Sequence, residues 1–599
     1  MTAQRHPDLR VIDCDLVVIG GGGAGLRAAL AATVADPSLD IVLVSKVVPM
    51  RSHTVAAEGG AAAVLREDDS FEQHFEDTVS GGEWLCDQAA VEAFVAACPR
   101  ELAQLERWGC PWSRRDDGRV QTRFFGGMRV QRTWFAADRT GFHMLHTLFQ
   151  TSLRYPAIRR HDEFFCTDLL VDEHGLAGVL GIDIATGHPV LYRARAAVLA
   201  TGGAGRVYAH NTNAGIVTGE GMALAARHGV ALRDMEFVQW HPTALPGSGI
   251  LITEGCRGEG GVLLNAEGRR YLEDYGLGPL EPWPRPRAME LGPRDRLSQA
   301  FWHEDRAGRT ITTAQGNAAL LDLRHLGPRR LAERLPMISE VARRFLGIDP
   351  VTALIPVRPA VHYTMGGVAT DLDGSTTLPG LYAAGECASA GIHGANRLGS
   401  NSLAELLVFG RAAGEAAAVR ARSAPRPGEA LAAEARACMA PWYAMLEAAP
   451  AAERPRVATL RNAMHAAMED GVGIYRDAEG MARACEALAG LRAAYRDGVA
   501  LDDRSLAFNT EWLSAIELGH SLQLAEVMAH AALARRESRG AHQRLDAWRA
   551  RDDAGFLVHS LAWCAADGPP RIEHAPVKLT RSVPRERVYG GAGERVALD

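Results

Sequence analysis

Short hydrophobic runs alternate with helical patterns in the first part of the chain, and they predict a parallel β-sheet. Residues 15–19 (DLVVI) and 41–46 (IVLVSK) are apolar enough to be strands buried on both faces. The glycines of 20–25 and the helix-forming segment LRAALAATVA lie between them. This order predicts a β-α-β unit with a glycine-rich turn at the start of its helix.

The spacing of these glycines indicates a dinucleotide site. Gly20, Gly22 and Gly25 have the G-x-G-x-x-G spacing, which allows a tight turn and leaves helix N–H groups free to bind a pyrophosphate. The second strand ends in Ser45 and Lys46, whereas an NAD site normally has an acidic residue there for the ribose. FAD is therefore the favoured cofactor.

Later patterns divide the chain into domains. Residues 196–205 (AAVLATGGAG) and 378–386 (LPGLYAAGE) are predicted to be further strands of the same sheet, and helical spacing dominates after 423. We predict an α/β fold, with a Rossmann-like FAD-binding domain, an inserted α+β capping domain and a C-terminal helical domain. The predicted parts are 1–240 and 353–422 for FAD binding, 241–352 for the capping domain with a loop at 281–287 (EPWPRPR), 423–540 for the helical domain, and an irregular C-terminal segment at 541–599.

Composition disfavours several classes of function. The 599 residues carry a formal charge of −7, which gives no basic surface for nucleic acid. We expect no membrane span, because no run of about 18 apolar residues is free of charge. The polar start MTAQRHPDLR has no secretion signal and favours the cytoplasm. The ten cysteines include no CxxC pair, so we expect neither a metal site nor an iron–sulfur cluster in this chain.

Histidines and arginines are concentrated near glycine-rich turns, although the chain as a whole is negatively charged. The candidate residues are His241, Thr253, Glu254, Arg257, Arg294, His362 and Arg397. A structural ion pair between Glu254 and Arg257, and an ordinary structural role for His362, are the alternatives to a functional site. Two cationic clusters indicate a substrate with two carboxylates. The residues alone therefore predict an FAD-dependent oxidoreductase that acts on a small anion.

A further helix is predicted to begin at Asn401 or Ser402, with one of these side chains as its N-terminal cap. The positive end of its dipole would stabilise the charge of a reduced flavin placed beside it. The alternative is a capped surface helix. Arg397, just upstream, is a fixed cation among glycines and favours the flavin.

In combination, these stretches closely resemble the flavoprotein subunits of the fumarate reductase and succinate dehydrogenase family, in particular those of quinol:fumarate reductases. The motifs are PMRSHTVAAEGG (49–60), HPT (241–243), TEGCRGEGG (253–261), ELGPRD (290–295), HYTMGG (362–367) and HGANRLGSNSL (393–403). The resemblance extends to ESRGAHQRLD (537–546) and RVYGG (587–591), so it covers nearly the whole chain.

The resemblance implies covalently bound FAD. His53 would carry the bond, through a ring nitrogen attached to a methyl group of the isoalloxazine, and the bond would raise the reduction potential of the flavin. A histidine in a solvated loop is the alternative. The other implied FAD contacts are Gly20, Gly21, Gly22, Gly23, Ala24, Gly25, Val44, Ser45, Lys46, Ser52, Thr54, Glu58, Gly59, Gly60, Glu220, Glu386, Ser402 and Leu403. Glu220 departs from the family pattern, which usually has aspartate there.

The resemblance also implies a substrate site and a reaction. The implied contacts to fumarate are His362 and Arg397 for one carboxylate, and His241 and Thr253 for the other. Hydride from the flavin and a proton from Arg294 would give succinate, with Glu254 and Arg257 returning a proton from solvent. His241 is the alternative donor, since arginine rarely gives up its proton.

Direction, partners and location follow from the same resemblance. Glu58, where succinate dehydrogenases tend to have glutamine, and Ser400, where they often have glycine, favour fumarate reduction in anaerobic respiration over succinate oxidation. Electrons from a quinol would arrive through a partner iron–sulfur subunit, with membrane anchor subunits, at the cytoplasmic face of the inner (plasma) membrane. An enzyme similar to L-aspartate oxidase is the nearest alternative, but such enzymes lack a histidine at the position of His53. A flavin-binding redox protein without turnover is a remote one.

Overall fold

The computed structural model describes residues 7–277, 289–448, 454–565 and 567–587. The predicted loop at 281–287 and all but the first residue of the RVYGG motif lie outside these ranges. Among the described residues, no helix has both the length and the apolar character needed to cross a membrane.

A five-stranded parallel sheet forms the centre of the first domain. In spatial order its strands are Leu381–Ala383, Ala196–Leu199, Leu16–Ile19, Ile41–Ser45 and Ile158–Asp162. Hydrophobic runs predict the first four strands. The fifth strand, IRRHD, has no such run because its side chains are exposed or half-buried at the edge of the sheet.

Both faces of this sheet are covered. Leu16 and Val18 point toward helices Gly23–Ala35 and Asn401–Ser423, whereas Val17 and Ile19 point toward a second layer of structure. That layer contains a four-stranded sheet of Arg10–Asp13, Pro189–Arg193, Gly175–Asp183 and Phe164–Asp172. Burial on both faces explains the unbroken hydrophobic runs and confirms the predicted α/β class.

The glycine-rich turn brings strand and helix into close contact. A Cβ atom on Gly25 would lie 1.8 Å from the carbonyl oxygen of Gly20. Gly20 itself has φ +118°, a conformation that favours glycine. Any side chain at Gly25 would therefore push the helix away from the end of the strand.

The capping elements form a mixed layer with its own hydrophobic core. Their antiparallel sheet has the order Val238–Ala244, Ile355–Thr364, Gly316–Asp322 and Val262–Leu264, with Ile311–Thr313 beside the third strand. Their helices are Glu254–Gly258, Arg294–Arg306, Gly327–Arg334 and Pro336–Val341. The first two strands pair at His241 and Ala360, which brings the two halves of the chain together at the predicted site.

The C-terminal part is helical, as predicted, but its end is more regular than expected. The helices are Leu431–Glu447, Val457–Gly471, Ala478–Arg496 and Thr510–Ala534. The segment expected to be irregular contains an antiparallel pair, Val558–Trp563 and Arg571–Pro576, which joins strand Leu232–Arg233 of the first domain. This strand pairing is long-range, so no local pattern reports it. The exact domain boundaries stay predictions.

The remaining regular elements are shorter or lie at the periphery. The helices are Phe71–Gly81, Gln88–Arg107, Thr140–Ser152 and Glu220–Arg227. The short strands are Ala61–Ala62, Thr122–Arg123, Thr133–Trp134, Gly367–Ala369, Ala388–Ser389, Tyr475–Arg476 and Gln543–Arg544. Single turns at Pro49–Arg51 and His53–Ala56 lead from the glycine-rich unit to the predicted flavin site.

A buried histidine attaches the C-terminal strand pair to the first domain. His559 lies 2.6 Å from Asp234 through Nδ1 and 3.3 Å from Asp87 through Nε2. Burial alone would lower the pKa of His559, but the two carboxylates raise it to about 9. Since the ordinary pKa is about 6.5, this interaction is worth roughly 3 kcal/mol when His559 is charged.

We therefore expect His559→Gln to destabilise the protein in a pH-dependent way. The raised pKa means that the contribution is fully present below pH 6.5 and is lost as the pH rises through about 9. Thermal unfolding temperatures measured at pH 6, 7.5 and 9.5 should show the gap to wild type narrowing. His574→Gln, on the exposed partner strand, is the control. A gap of constant size would show that His559 is uncharged in the folded protein.

Candidate active site

One cavity of about 470 Å³ lies between the glycine-rich end of the parallel sheet and the capping elements. The predicted residues that line it are Gly20, Gly21, Gly22, Gly23, Ala24, Val44, Ser45, Lys46, Ser52, His53, Thr54, Glu58, Gly59, Gly60, Glu220, His241, Thr253, Glu254, Arg294, His362, Glu386, Arg397, Ser402 and Leu403. Gly25 and Arg257 do not line it. Gly25 packs against the strand, and Arg257 lies behind Glu254.

The glycine-rich end of the cavity presents unused polar groups. Helix Gly23–Ala35 has no side-chain cap, and the N–H of Gly23 donates to the hydroxyl of Thr54 over 3.1 Å. Within the described residues, Ser52 Oγ, Thr201 Oγ1 and Glu220 Oε2 are buried without a hydrogen-bond partner. Because buried polar atoms are normally paired, these atoms indicate a polar ligand.

Three acids and a lysine lie at the same end. Lys46 Nζ pairs with Glu220 and lies 2.7 Å from Glu517 of the helical domain. The hydroxyl of Thr218 donates to Glu220 Oε1 over 2.6 Å, which leaves Oε2 facing the cavity wall. Burial raises the pKa of Glu386 to about 7, and its Oε1 accepts from the N–H of Thr364 over 3.0 Å.

His53 lies on the single turn that follows the glycine-rich unit. The backbone N–H of Ala214 donates to Nδ1 of His53 over 3.3 Å. That bond makes Nδ1 an acceptor, so Nε2 is the ring nitrogen left for other chemistry. Desolvation lowers the pKa of His53 to about 4, and the ring is therefore neutral near pH 7.

Two more histidines face each other at the opposite end of the cavity. The rings of His241 and His362 are 5.1 Å apart between centroids and lie on paired strands. Nδ1 of His362 is 2.7 Å from the hydroxyl of Thr212. Nδ1 of His241 is 3.1 Å from the carbonyl oxygen of Thr243 and 3.3 Å from its N–H. Burial, and then the nearby Arg294, lower the pKa of both rings well below 6.5, so both are neutral at pH 7.

Arg397 is a buried cation without a counter-charge. Among the described residues no carboxylate lies within ion-pair distance of it. Its guanidinium stacks 4.3 Å above the ring centroid of Tyr363, whose hydroxyl donates to Glu405 over 2.6 Å. Burial, with Arg294 nearby, lowers the pKa of Arg397 to about 10, so the group is still charged at pH 7. A charged, desolvated arginine at a cavity wall is suited to bind a carboxylate.

A chain of charged groups leads away from the cavity at Arg294, the first residue of helix Arg294–Arg306. Nε of Arg294 donates to Glu254 Oε2 over 2.9 Å, and Nη2 of Arg257 is 3.8 Å from the same oxygen. Burial would raise the pKa of Glu254, but the two arginines and the N–H of Gly126 hold it below its usual value. The expected pair of Glu254 and Arg257 thus forms part of a longer chain of charged groups.

The helix cap predicted at Asn401 or Ser402 is wrong, although the helix does begin at Asn401. The residue before it, Ser400, takes the cap position with φ +65° and makes no side-chain cap bond. The side chain of Asn401 is used elsewhere, since its Oδ1 is 3.0 Å from Nε2 of His74 and its amide donates to Thr78 over 3.0 Å. The first N–H groups of this helix are therefore left uncapped by side chains beside Ser402 and Leu403, at the cavity.

The carboxyl group of Glu58, whose identity favours fumarate reduction, is buried at the wall of the cavity. Burial, with Asp138 nearby, raises the pKa of Glu58 well above its usual value, so its carboxyl is protonated over a wider pH range than an exposed one. Arg123 opposes this shift from behind, where it donates to the carbonyl of Glu58 over 3.1 Å. Any effect of Glu58 on the direction of the reaction therefore does not depend on a permanent negative charge.

Sequence reasoning overlooks several residues that matter to the geometry. Phe125 and Thr212 line the cavity, and Gln239 lies behind two arginines. Gln239 lies two positions before His241 on strand Val238–Ala244, which is not predicted from the sequence, so the alternation of a strand could not point to it. Phe125 and Thr212 have no local signal either.

Comparison with known proteins agrees with this geometry. The model of the FAD binding domain family matches residues 15–403, and the model of the fumarate reductase flavoprotein C-terminal family matches residues 461–589. A fumarate reductase flavoprotein subunit from Serratia sp. is 57% identical over 590 residues, which are 98% of each chain. A succinate dehydrogenase flavoprotein subunit from Rickettsia bellii is 39% identical over 588 residues, 94% of this chain and 95% of that one.

A solved structure supports the same assignment. The FrdA chain of Escherichia coli quinol fumarate reductase, in a glutamate-to-glutamine variant, superposes with a TM-score of 0.93 at 56% identity. The match covers 97% of this chain and 99% of that one. The chain therefore belongs to the family of FAD-binding fumarate reductase and succinate dehydrogenase flavoproteins.

Proposed function

We propose that the protein is the catalytic flavoprotein subunit of a quinol:fumarate reductase and reduces fumarate to succinate. The observation that carries this proposal is a pair of arginines at one end of the FAD cavity, of which Arg294 pairs with Glu254 and Arg397 has no ion-pair partner among the described residues. Arg397 and Arg294 face a space lined by two neutral histidines and Thr253. A small dianion with a carboxylate at each end fits that arrangement of charge.

The residues of the other end fit FAD. The N-terminus of helix Gly23–Ala35, whose cap residue Gly22 has no side chain, would hold the pyrophosphate, and the free oxygen of Glu220 would accept from the ribose hydroxyls. The open N-terminus at Ser402 and Leu403 would stabilise negative charge on the ring. When bound, FAD supplies two electrons, as a hydride, to one alkene carbon of fumarate.

The FAD would be bonded to His53 through Nε2. The N–H of Ala214 occupies Nδ1, so the other nitrogen is the one that can form a bond. The depressed pKa keeps the ring neutral. Because Nδ1 is the acceptor, the neutral ring carries its one proton on Nε2, and that proton would leave as the bond forms. Both features support a covalent role over that of a solvated loop histidine.

The protein would hold the substrate by its two ends. Arg397 and His362 would bind one carboxylate, and His241 and Thr253 the other. The Thr212 hydroxyl can donate to Nδ1 of His362, which leaves the proton of that ring on Nε2. Thr243 holds the ring of His241 at Nδ1. Binding at both ends would orient the alkene and twist one carboxylate out of conjugation.

Arg294 would give a proton to the second alkene carbon. Hydride on one carbon and a proton on the other convert the fumarate dianion to the succinate dianion. Glu254, which the neighbouring arginines keep ionised, would pass a proton back to Arg294, and Arg257 would supply it from the solvent side. His241 is a poor alternative donor because it is neutral at pH 7.

Fumarate reduction is the direction we propose, with succinate oxidation as the alternative. Identity to the Serratia fumarate reductase subunit is 57%, against 39% to the Rickettsia succinate dehydrogenase subunit. Electrons would come through a partner iron–sulfur subunit with membrane anchor subunits, and the name quinol fumarate reductase of the E. coli relative supports a quinol as their source. The subunit would lie on the cytoplasmic face of the membrane.

The test is fumarate-dependent oxidation of reduced viologen by purified, flavin-loaded protein. Viologen feeds the flavin directly, so partner subunits are not needed. We expect oxidation of the viologen with fumarate and none without it. Flavin-loaded protein that oxidises no viologen with fumarate would contradict the proposal. Oxidation of added aspartate, with oxygen as the electron acceptor and no viologen present, would favour an enzyme similar to L-aspartate oxidase.

A further inference from the structure

We propose that Gln239 is a positioning residue that fixes the proton donor relative to the carboxylate clamp, and that it must be neutral to do so. The inference rests on the proposed reduction of fumarate. Gln239 lies on strand Val238–Ala244, two residues before His241, and does not line the cavity. It is 0% exposed, so it acts through its neighbours and not on the substrate.

The amide of Gln239 is held in one orientation. Its Nε2 donates to Asn396 Oδ1 over 2.9 Å and to the carbonyl oxygen of Arg397 over 2.8 Å. Both amide protons are therefore used on the HGANR segment. The amide oxygen Oε1 therefore points away from the HGANR segment backbone.

Oε1 of Gln239 accepts from two guanidinium groups. Nη1 of Arg294 donates to it over 3.0 Å, and Nη2 of Arg397 donates over 3.1 Å. One carbonyl oxygen thus ties the proton donor on the capping helix to the carboxylate-binding arginine of the FAD-binding domain. The same oxygen also fixes the distance between the two guanidinium groups. Their like charges destabilise each other's charged form in a desolvated site.

The neutrality of this bridge has a chemical reason. Arg294 already has an ionised partner, Glu254, at 2.9 Å on its other side. A second carboxylate would hold the proton on Arg294 more tightly and would compete with the substrate for Arg397. An amide supplies the same acceptor geometry without that charge.

Two substitutions separate orientation from charge. Gln239→Met keeps the volume of the side chain but removes the hydrogen-bond acceptor. We expect kcat to fall about 10- to 100-fold, with KM within about threefold of wild type. The reason is that a proton donor displaced by about 1 Å transfers its proton slowly. The solvent deuterium isotope effect on kcat should rise, since proton transfer becomes slower. Gln239→Glu keeps the shape and adds charge, so kcat should fall and KM should rise by at least about tenfold.

Buried Gln88 offers a matched control. It is also 0% exposed, and its Oε1 accepts from the N–H groups of Thr580, Arg581 and Ser582, far from the cavity. We expect Gln88→Met to lower the unfolding temperature while kcat, KM and the isotope effect stay at wild-type values. A merely structural role for Gln239 would give this same pattern.

The viologen assay on these variants tests the positioning role of Gln239 directly. Wild-type kcat and isotope effect in Gln239→Met would overturn the proposal, and so would unchanged KM in Gln239→Glu. If Gln239→Met does not fold, the isosteric Gln239→Glu still tests the bridge. Failure of wild type to reduce fumarate would instead overturn the proposed function itself, before any variant is compared.

Discussion

Replacing Arg294 by glutamine should abolish fumarate reduction while the protein still folds and holds FAD. The loss in kcat should be about 1,000-fold or more, the usual upper range for a missing general acid. Glutamine keeps hydrogen-bonding capacity toward Glu254 but has no proton to give. The measurement is viologen oxidation with fumarate, normalised to bound flavin.

Arg296→Gln is the matched control, because Arg296 lies on the same helix, is half-buried and does not line the cavity. Its activity should stay within about twofold of wild type, as expected for a substitution outside the site. Arg294→Lys keeps a donor but shortens its reach, so we expect it to recover only a small part of the activity. If Arg294→Gln kept a tenth of wild-type activity and His241→Ala lost all of it, the proton donor would be His241.

The part of the fold that the sequence could predict is the part buried on both faces. Strands Leu16–Ile19 and Ile41–Ser45 read as unbroken apolar runs because helices cover one face and a second sheet covers the other. The sequence does not predict strand Ile158–Asp162, because it lies at the exposed edge of the sheet and has no apolar run. It also does not predict how the strand pair at 558–576 joins the first domain, because the strand it contacts lies more than 300 positions away.

The candidate site shows the same division. Charged residues near glycine turns could be listed from the sequence, and all but Gly25 and Arg257 of the listed residues line one cavity. What the sequence could not supply is which partners they use. Asn401 was a reasonable helix cap, yet tertiary contacts with His74 and Thr78 occupy its amide. Gln239 carries no charge, so a search for cations and acids passes over it.

His53→Ser should release the flavin from the polypeptide. We expect wild-type protein precipitated with acid to keep its flavin, seen as fluorescence on a denaturing gel, and the variant to lose its flavin to the supernatant. The cavity keeps its other FAD contacts, so the variant should still bind FAD without the bond. His143→Ser, a half-buried histidine on the helix that packs beside His53, should behave as wild type.

The activity of His53→Ser should change unequally in the two directions. The bond converts an electron-donating methyl group into a methylene group that carries the electron-withdrawing histidyl nitrogen, so losing the bond lowers the reduction potential of the flavin. Because about 30 mV changes a two-electron equilibrium tenfold, a modest drop is enough to make electron uptake from succinate unfavourable. We expect succinate oxidation to fall at least tenfold, with fumarate reduction by viologen less affected, since a lower potential favours donation to fumarate. Equal losses in both directions would show that His53 positions the ring and does not tune its potential, and free flavin from wild type would show that no bond forms.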